Sequence, residues 1–189
     1  MKHIYLLIVI NFVVLGLFGA AAVQQQNTEF IYYLLIVCTL AAFIVYTHKH
    51  YPKPLLWGLS GWGWAHMAGG TLWVGEQILY DVLLIRVLDA PFYVLRYDQV
   101  VHVIGTFLVT LVAYYLVKKH VSAPPLALAV IVGLIGLGLA TINEIIELGA
   151  VLVIEQTHVG DYFNIAFDLF ANTIGAVLAS SFVYQRQRR

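Results

Sequence analysis

Apolar residues run along this chain in long blocks broken by short polar stretches, a pattern unlike the three-four spacing of a soluble helix or the alternation of a half-buried strand. A helix needs about 20 predominantly apolar residues to cross a hydrocarbon core about 30 Å thick. Six blocks approach that length, at residues 4–23, 30–47, 55–74, 100–117, 125–145 and 163–184. The fifth run continues to Ile154, which predicts a tilted or projecting helix. The first block follows Lys2 and ends near the small residues Gly19, Ala20, Ala21 and Ala22. Its apolar stretch is longer than a secretory signal core, so an uncleaved first helix is expected. The longest connection, 75–99, holds the run Gln77-Ile78-Leu79-Tyr80-Asp81-Val82-Leu83-Leu84-Ile85, read as a short interfacial or re-entrant helix before a turn at Asp89-Ala90-Pro91. The expected fold is all-α: a polytopic bundle of six transmembrane helices in one integral membrane domain over 1–189.

The charged residues orient that bundle. Lys2, then Lys49 and Lys53, then Lys118 and Lys119, then Arg186, Arg188 and Arg189 all fall on one side of a six-helix threading. Only Arg86 and Arg96 fall on the other, together with Glu29 and the acids of the 76–98 and 155–161 connections. The excess of basic residues marks the cytoplasmic side, placing both termini there and the protein in the cell inner (plasma) membrane as a multi-pass chain.

Composition agrees with the pattern. Of 189 residues, 61% are hydrophobic and only 11% charged, with a mean hydropathy of +0.86. Soluble domains carry about 25% charge, so disorder, nucleic-acid binding and ordinary cytosolic catalysis are excluded as classes. Ten basic and ten acidic side chains leave no net field. The single cysteine, Cys38, lies in an apolar run and is expected to serve as a small buried hydrophobe. There is no phosphate-cradling glycine loop, no Gly-x-Ser-x-Gly elbow, and no nucleotide, haem or flavin signature.

The chemistry lies in ionisable residues inside apolar segments, where they are costly and by default face the bundle interior. His66 is near the middle of the third block; Asp98 and His102 stand four apart, Glu144 and Glu147 three apart, and Asp168 and Asn172 four apart, with Asp161 at the mouth of the sixth block. Spacings of three and four put each pair on one helix face. The threading brings all of them to the outward-facing half, with His66 somewhat deeper. Crowded carboxylates cannot all remain ionised without compensation, so either protons or a cation must be held. Carboxylates with imidazole suit zinc, manganese or iron. The candidate ligands are His66, His102, Glu144, Glu147, Asp161 and Asp168. The candidate catalytic groups are Asp98, His102, Glu144, Glu147 and Asp168, with Asn164 and Asn172 in support. Plainer readings run beside this one: Asp98 at a helix start, Glu144 and Glu147 wetted at the interface, Asp168 with Asn172 as an interhelical hydrogen-bonded staple, and His66 as a lone satisfied histidine. His48, His50, His120 and His158 read as solvated. The many glycines of the third and fifth blocks read as packing surfaces.

In order, His66-x2-Gly69, Tyr97-Asp98-x3-His102-x2-Gly105, Glu144-x2-Glu147 and Gly160-Asp161-x6-Asp168-x3-Asn172-x2-Gly175-Ala176 resemble the YjdF-like inner-membrane proteins, a family of unknown function. The resemblance covers roughly residues 60–180, and a looser one exists to VanZ-like membrane proteins. The YjdF-like pattern commonly has a further Asp four residues before the last one, where this chain has Asn164. The resemblance implies a six-helix bundle in a bacterial-type inner membrane and no particular reaction. The residues themselves point to a metal-supported hydrolase or transferase acting on a lipid or lipid-linked substrate. A small ion- or proton-coupled transporter and a non-catalytic membrane partner are the alternatives.

Overall fold

The computed structural model describes residues 2–88, 94–155, 157, 159 and 162–188. Six α-helices carry them: α1 (Lys2–Gln24), α2 (Thr28–Thr47), α3 (Lys53–Thr71), α4 (Tyr97–Val117), α5 (Pro125–Val153) and α6 (Tyr162–Gln187). Five of these, all but α3, are long and apolar enough to cross a membrane. The 19 residues of α3 make a rod about 28 Å long, but its glycines, tryptophans, Ser60 and His66 dilute the apolar content.

Two regions depart from the sequence expectation. The third helix stops at Thr71, and the chain then forms a tight antiparallel hairpin, β1 (Trp73–Val74) pairing with β2 (Gln77–Ile78). Gly75 turns it at φ +65°, a backbone region that only glycine enters freely. The helix read over 77–85 is therefore absent; a single 3-10 turn over Leu79–Asp81 follows the hairpin. The physical reason is the turn at Gly75, which folds the chain back so that the Leu79 N–H donates to the Leu72 carbonyl at 2.8 Å and the backbone groups here are satisfied across the hairpin rather than along a helix. The turn at Asp89-Ala90-Pro91 lies outside the described residues. The second departure is from the 125–145 bounds only: the 29 residues of α5 extend about 43 Å and are helical to Val153, as the apolar run to Ile154 predicts. Cys38 is also corrected, since it lies exposed on α2 rather than packed inside.

Helices α4, α5 and α6 pack on one another, with α3 laid against α4 and bound in turn by α1 and α2. Small residues set the distances. A methyl at Gly175 of α6 would collide with the Val103 carbonyl oxygen and stand 3.1 Å from the Phe107 nitrogen, so the backbones of α4 and α6 touch there. Gly136 receives the Thr110 side chain between α4 and α5, and Gly70 receives the ring of Phe30 between α3 and α2. Polar tethers fix α1: the amide of Asn11 donates to Ser60 Oγ at 2.8 Å, and Trp64 Nε1 donates to Asn11 Oδ1 at 3.0 Å. At the other end, Asn27 caps α2 through the Phe30 N–H and donates to the Gly70 carbonyl at 3.0 Å. The start of α4 is held by Gln99, whose Oε1 accepts from the backbone N–H groups of Leu95 and Arg96. That leaves Asp98 free of the capping role and available to the interior.

Candidate functional site

Helix α6 buries one stripe, Asn164, Asp168, Ala171, Asn172, Gly175, Ala176, Ala179 and Val183, and leaves Leu169, Phe170, Ile174 and Val177 exposed. The close contact at Gly175 brings the polar end of that stripe against Asp98, His102 and Thr106 of α4. Helix α5 adds Asn143, Glu144 and Glu147, while its Ile145 and Leu148 face outward. Three amphipathic faces thus meet at one depth.

His102 is the hub. Its Nε2 lies 3.4 Å from Asp98 Oδ1 and 3.7 Å from Glu147 Oε1, and its Nδ1 lies 3.3 Å from Glu144 Oε1 and 3.3 Å from Asn172 Oδ1. Asn172 bridges the three helices, accepting from Thr106 Oγ1 at 2.6 Å and donating to Glu144 Oε1 at 2.7 Å. The Asn164 amide serves Asp168 Oδ2 at 2.7 Å, the Val159 carbonyl at 3.0 Å and Asp98 Oδ2 at 3.2 Å. Arg96 NH1 donates to Asn164 Oδ1 at 3.1 Å and lies 3.9 Å from Asp81. Asn143 donates to Glu147 Oε1 at 2.6 Å.

Side-chain exposures of 9% at Glu144 and 13% at Glu147 rule out the reading that they are simply wetted at an interface. Asp168 is 1% exposed. Asp98, His102, Glu144, Glu147, Asp168, Asn164 and Asn172 therefore all converge as the sequence spacing anticipates. His66 stands on the wall nearby and is engaged elsewhere: its Nδ1 meets the Tyr80 hydroxyl, and Trp62 stacks on its ring at 5.8 Å. Asp161 and His158 lie outside the described residues. Sequence reasoning passed over Asn143, Thr106, Arg96 and Tyr80. Two of them had a signal, because Thr106 is four residues from His102 and Asn143 four from Glu147.

Charge and hydrogen bonding leave the cluster incomplete. Four acids surround one imidazole, and Arg96 donates to Asn164, which donates in turn to Asp98 and Asp168. Glu144 Oε2 and Asp168 Oδ1 are buried with no hydrogen-bond partner. A buried carboxylate oxygen without a partner is costly, so these atoms call for a proton or a cation. Ligand atoms of Asp98, His102 and Asp168 all lie within 4.8 Å of one another. An ion with bonds of about 2.0–2.2 Å holds tetrahedral ligands about 3.3–3.6 Å apart, so the three would draw together by up to about 1.5 Å to hold one.

Beside the cluster lies a cavity of about 420 Å³ between α2, α3, α4 and α5, with His66, His102, Thr106, Asn143 and Asn172 in its lining.

A bundle of apolar helices that buries a carboxylate–imidazole cluster within its spans defines an integral, multi-pass membrane protein. Residues 4–189 match the family described as "Predicted membrane protein (DUF2238)", and the chain belongs to that family. No curated protein and no solved structure matches it.

Proposed function

We propose that this chain is a membrane-embedded, metal-supported hydrolase or group transferase acting on a lipid or lipid-linked substrate. The two partnerless buried oxygens of Glu144 and Asp168, in a cluster of four acids around His102, carry this reading. Asp98, His102 and Asp168 would hold a divalent ion, with zinc, manganese or iron suited to such donors. When bound, that ion supplies polarisation of a phosphoryl or acyl oxygen and activation of water. Glu147, oriented by Asn143, would accept a proton from an attacking water and pass it to the leaving group, while Asn172 holds Glu144 beside His102. The location of the cluster within membrane-spanning helices supports a substrate that resides in the bilayer.

In the same reading all six helices span. The helix α3 packs lengthwise between α1, α2 and α4, and with it as a span both termini are cytoplasmic in an inner (plasma) membrane, in one integral domain over 1–189. The ordered polar motifs support a YjdF-like character within the family, and more loosely a VanZ-like one. A transporter needs a polar path onward from the cluster; the cavity instead continues along Val109, Val112, Ala113 and Leu116. Metal analysis of protein purified without chelators is the test. The expected result is about one ion per chain, lost in Asp168→Asn. A wild-type chain free of divalent metal overturns the metal part.

A further inference from the structure

The cavity beside the cluster is polarised along its length. Its lining on α4 runs from Val101 to Leu116, about 22 Å of helix, so a volume of about 420 Å³ makes a slot several times longer than it is wide. The polar side chains, His66, His102, Thr106, Asn143 and Asn172, gather toward the end where α4 begins. The other end is formed by Leu59, Val109, Val112, Ala113 and Leu116. Its rim carries Leu40, Phe43, Leu139 and Ile142, which are 46%, 47%, 40% and 52% exposed. Those rim residues belong to α2 and α5, both apolar enough to span a membrane, so the slot opens sideways into hydrocarbon. Water satisfies no part of such a rim, and a hydrocarbon chain satisfies all of it.

We infer that this slot binds one acyl chain of a bilayer phospholipid, entering between α2 and α5, with the polar head at the His102–Asn172 end and the chain tip toward Leu116. The match is one of direction. A phospholipid in the leaflet on the α4 N-terminal side carries its head toward that end and its chain away from it, the same polarity as the lining; Leu116 lies beyond the middle of α4, so only the tip of a long chain, about 20 Å from the head, would reach it. A solute entering from water has no reason for a long apolar floor, and a protein helix, about 10 Å across with its side chains, is too wide for the slot. The inference deepens the proposed lipid chemistry and rests on it for the meaning of the head position, while the chain site stands on the slot alone.

The test uses the full chain in bilayer nanodiscs containing a phosphatidylglycerol with a diazirine at the end of one acyl chain. After irradiation, labelled residues are mapped by mass spectrometry. The expected label falls on Val112, Ala113 and Leu116, above the level on Phe12, a fully lipid-facing position of α1 at 80% exposure. Ala140→Phe, which fills the slot from α5, is expected to cut that label about tenfold and leave the Phe12 label unchanged. Ala113→Leu, a milder filling from α4, guards against a misfolded first variant and is expected to shift the label toward the rim. Label at the slot no greater than at Phe12, or indifferent to both substitutions, overturns the inference. Asp168→Asn separates the two readings: slot labelling that persists in a protein shown to hold no metal leaves the chain site standing without the metal chemistry, and metal binding without slot labelling does the reverse.

Discussion

Asn164 holds together more of the cluster than any carboxylate does, since one amide group serves Asp98, Asp168 and the Val159 carbonyl. Asn164→Leu removes the two N–H hydrogens that Asp98, Asp168 and the Val159 carbonyl share, and each bond lost to a buried acceptor costs roughly 1–3 kcal/mol. Thermal unfolding in detergent should therefore fall by several degrees. Asn164→Asp tests the charge argument from the other side. It places a fifth acid four residues before Asp168 and near Asp98, which raises repulsion unless a cation compensates. The metal-free variant should melt below wild type, and added zinc or manganese should recover more of the loss than it gains for wild type, because a ligand stabilises the state that binds it. Equal responses to metal would argue against a cation at this position. At this scale the sequence showed which residues were costly in a membrane. It did not show that Asn164, named there only in support, is the hydrogen-bond centre on α6, because apart from Asp168 its partners come from α4 and the segment before α6.

At the scale of elements, the close approach of α4 and α6 is what assembles the site. Gly175 meets backbone atoms of α4, which cannot rotate away, so Gly175→Ala forces the helices apart. The expected cost is about 1–3 kcal/mol, with loss of metal retention as His102 withdraws from Asn172. Gly138 of α5 has nothing within 4 Å of an added methyl, and Gly138→Ala should be neutral or slightly stabilising, since glycine weakens a helix interior by about 0.5–1 kcal/mol. Equal effects of the two substitutions, read from paired melting curves, would remove the packing argument. The sequence read Gly138 as a packing residue and Gly175 only as a motif position, and the structure reverses the two. It likewise exposed the limit of reading 77–85 as helix: apolar content invited one, but the Gly75 turn pairs this stretch back on Trp73–Val74 as a hairpin.

For the whole molecule, the sidedness of the termini depends on whether α3 crosses. In a Cys38→Ser background, single cysteines at Glu76→Cys and Glu155→Cys should react with an impermeant maleimide from outside. Those at His120→Cys and Gln187→Cys should react only after the cytoplasmic face is opened. If α3 stays on one side, every later connection inverts, and the Glu76 and Glu155 positions become cytoplasmic.

The amino-acid sequence by itself determined the membrane class, the positions of the helices and the face each polar pair occupies. Those properties are local, set by hydropathy over some twenty residues and by a period of three to four. Tertiary structure decided which acids share His102, which carboxylate oxygens are left without partners, that His66 answers to Tyr80, and that a one-sided slot runs beside the cluster. These depend on how far helices slide and how closely they approach at Gly175, Gly136 and Gly70, distances that no single segment encodes.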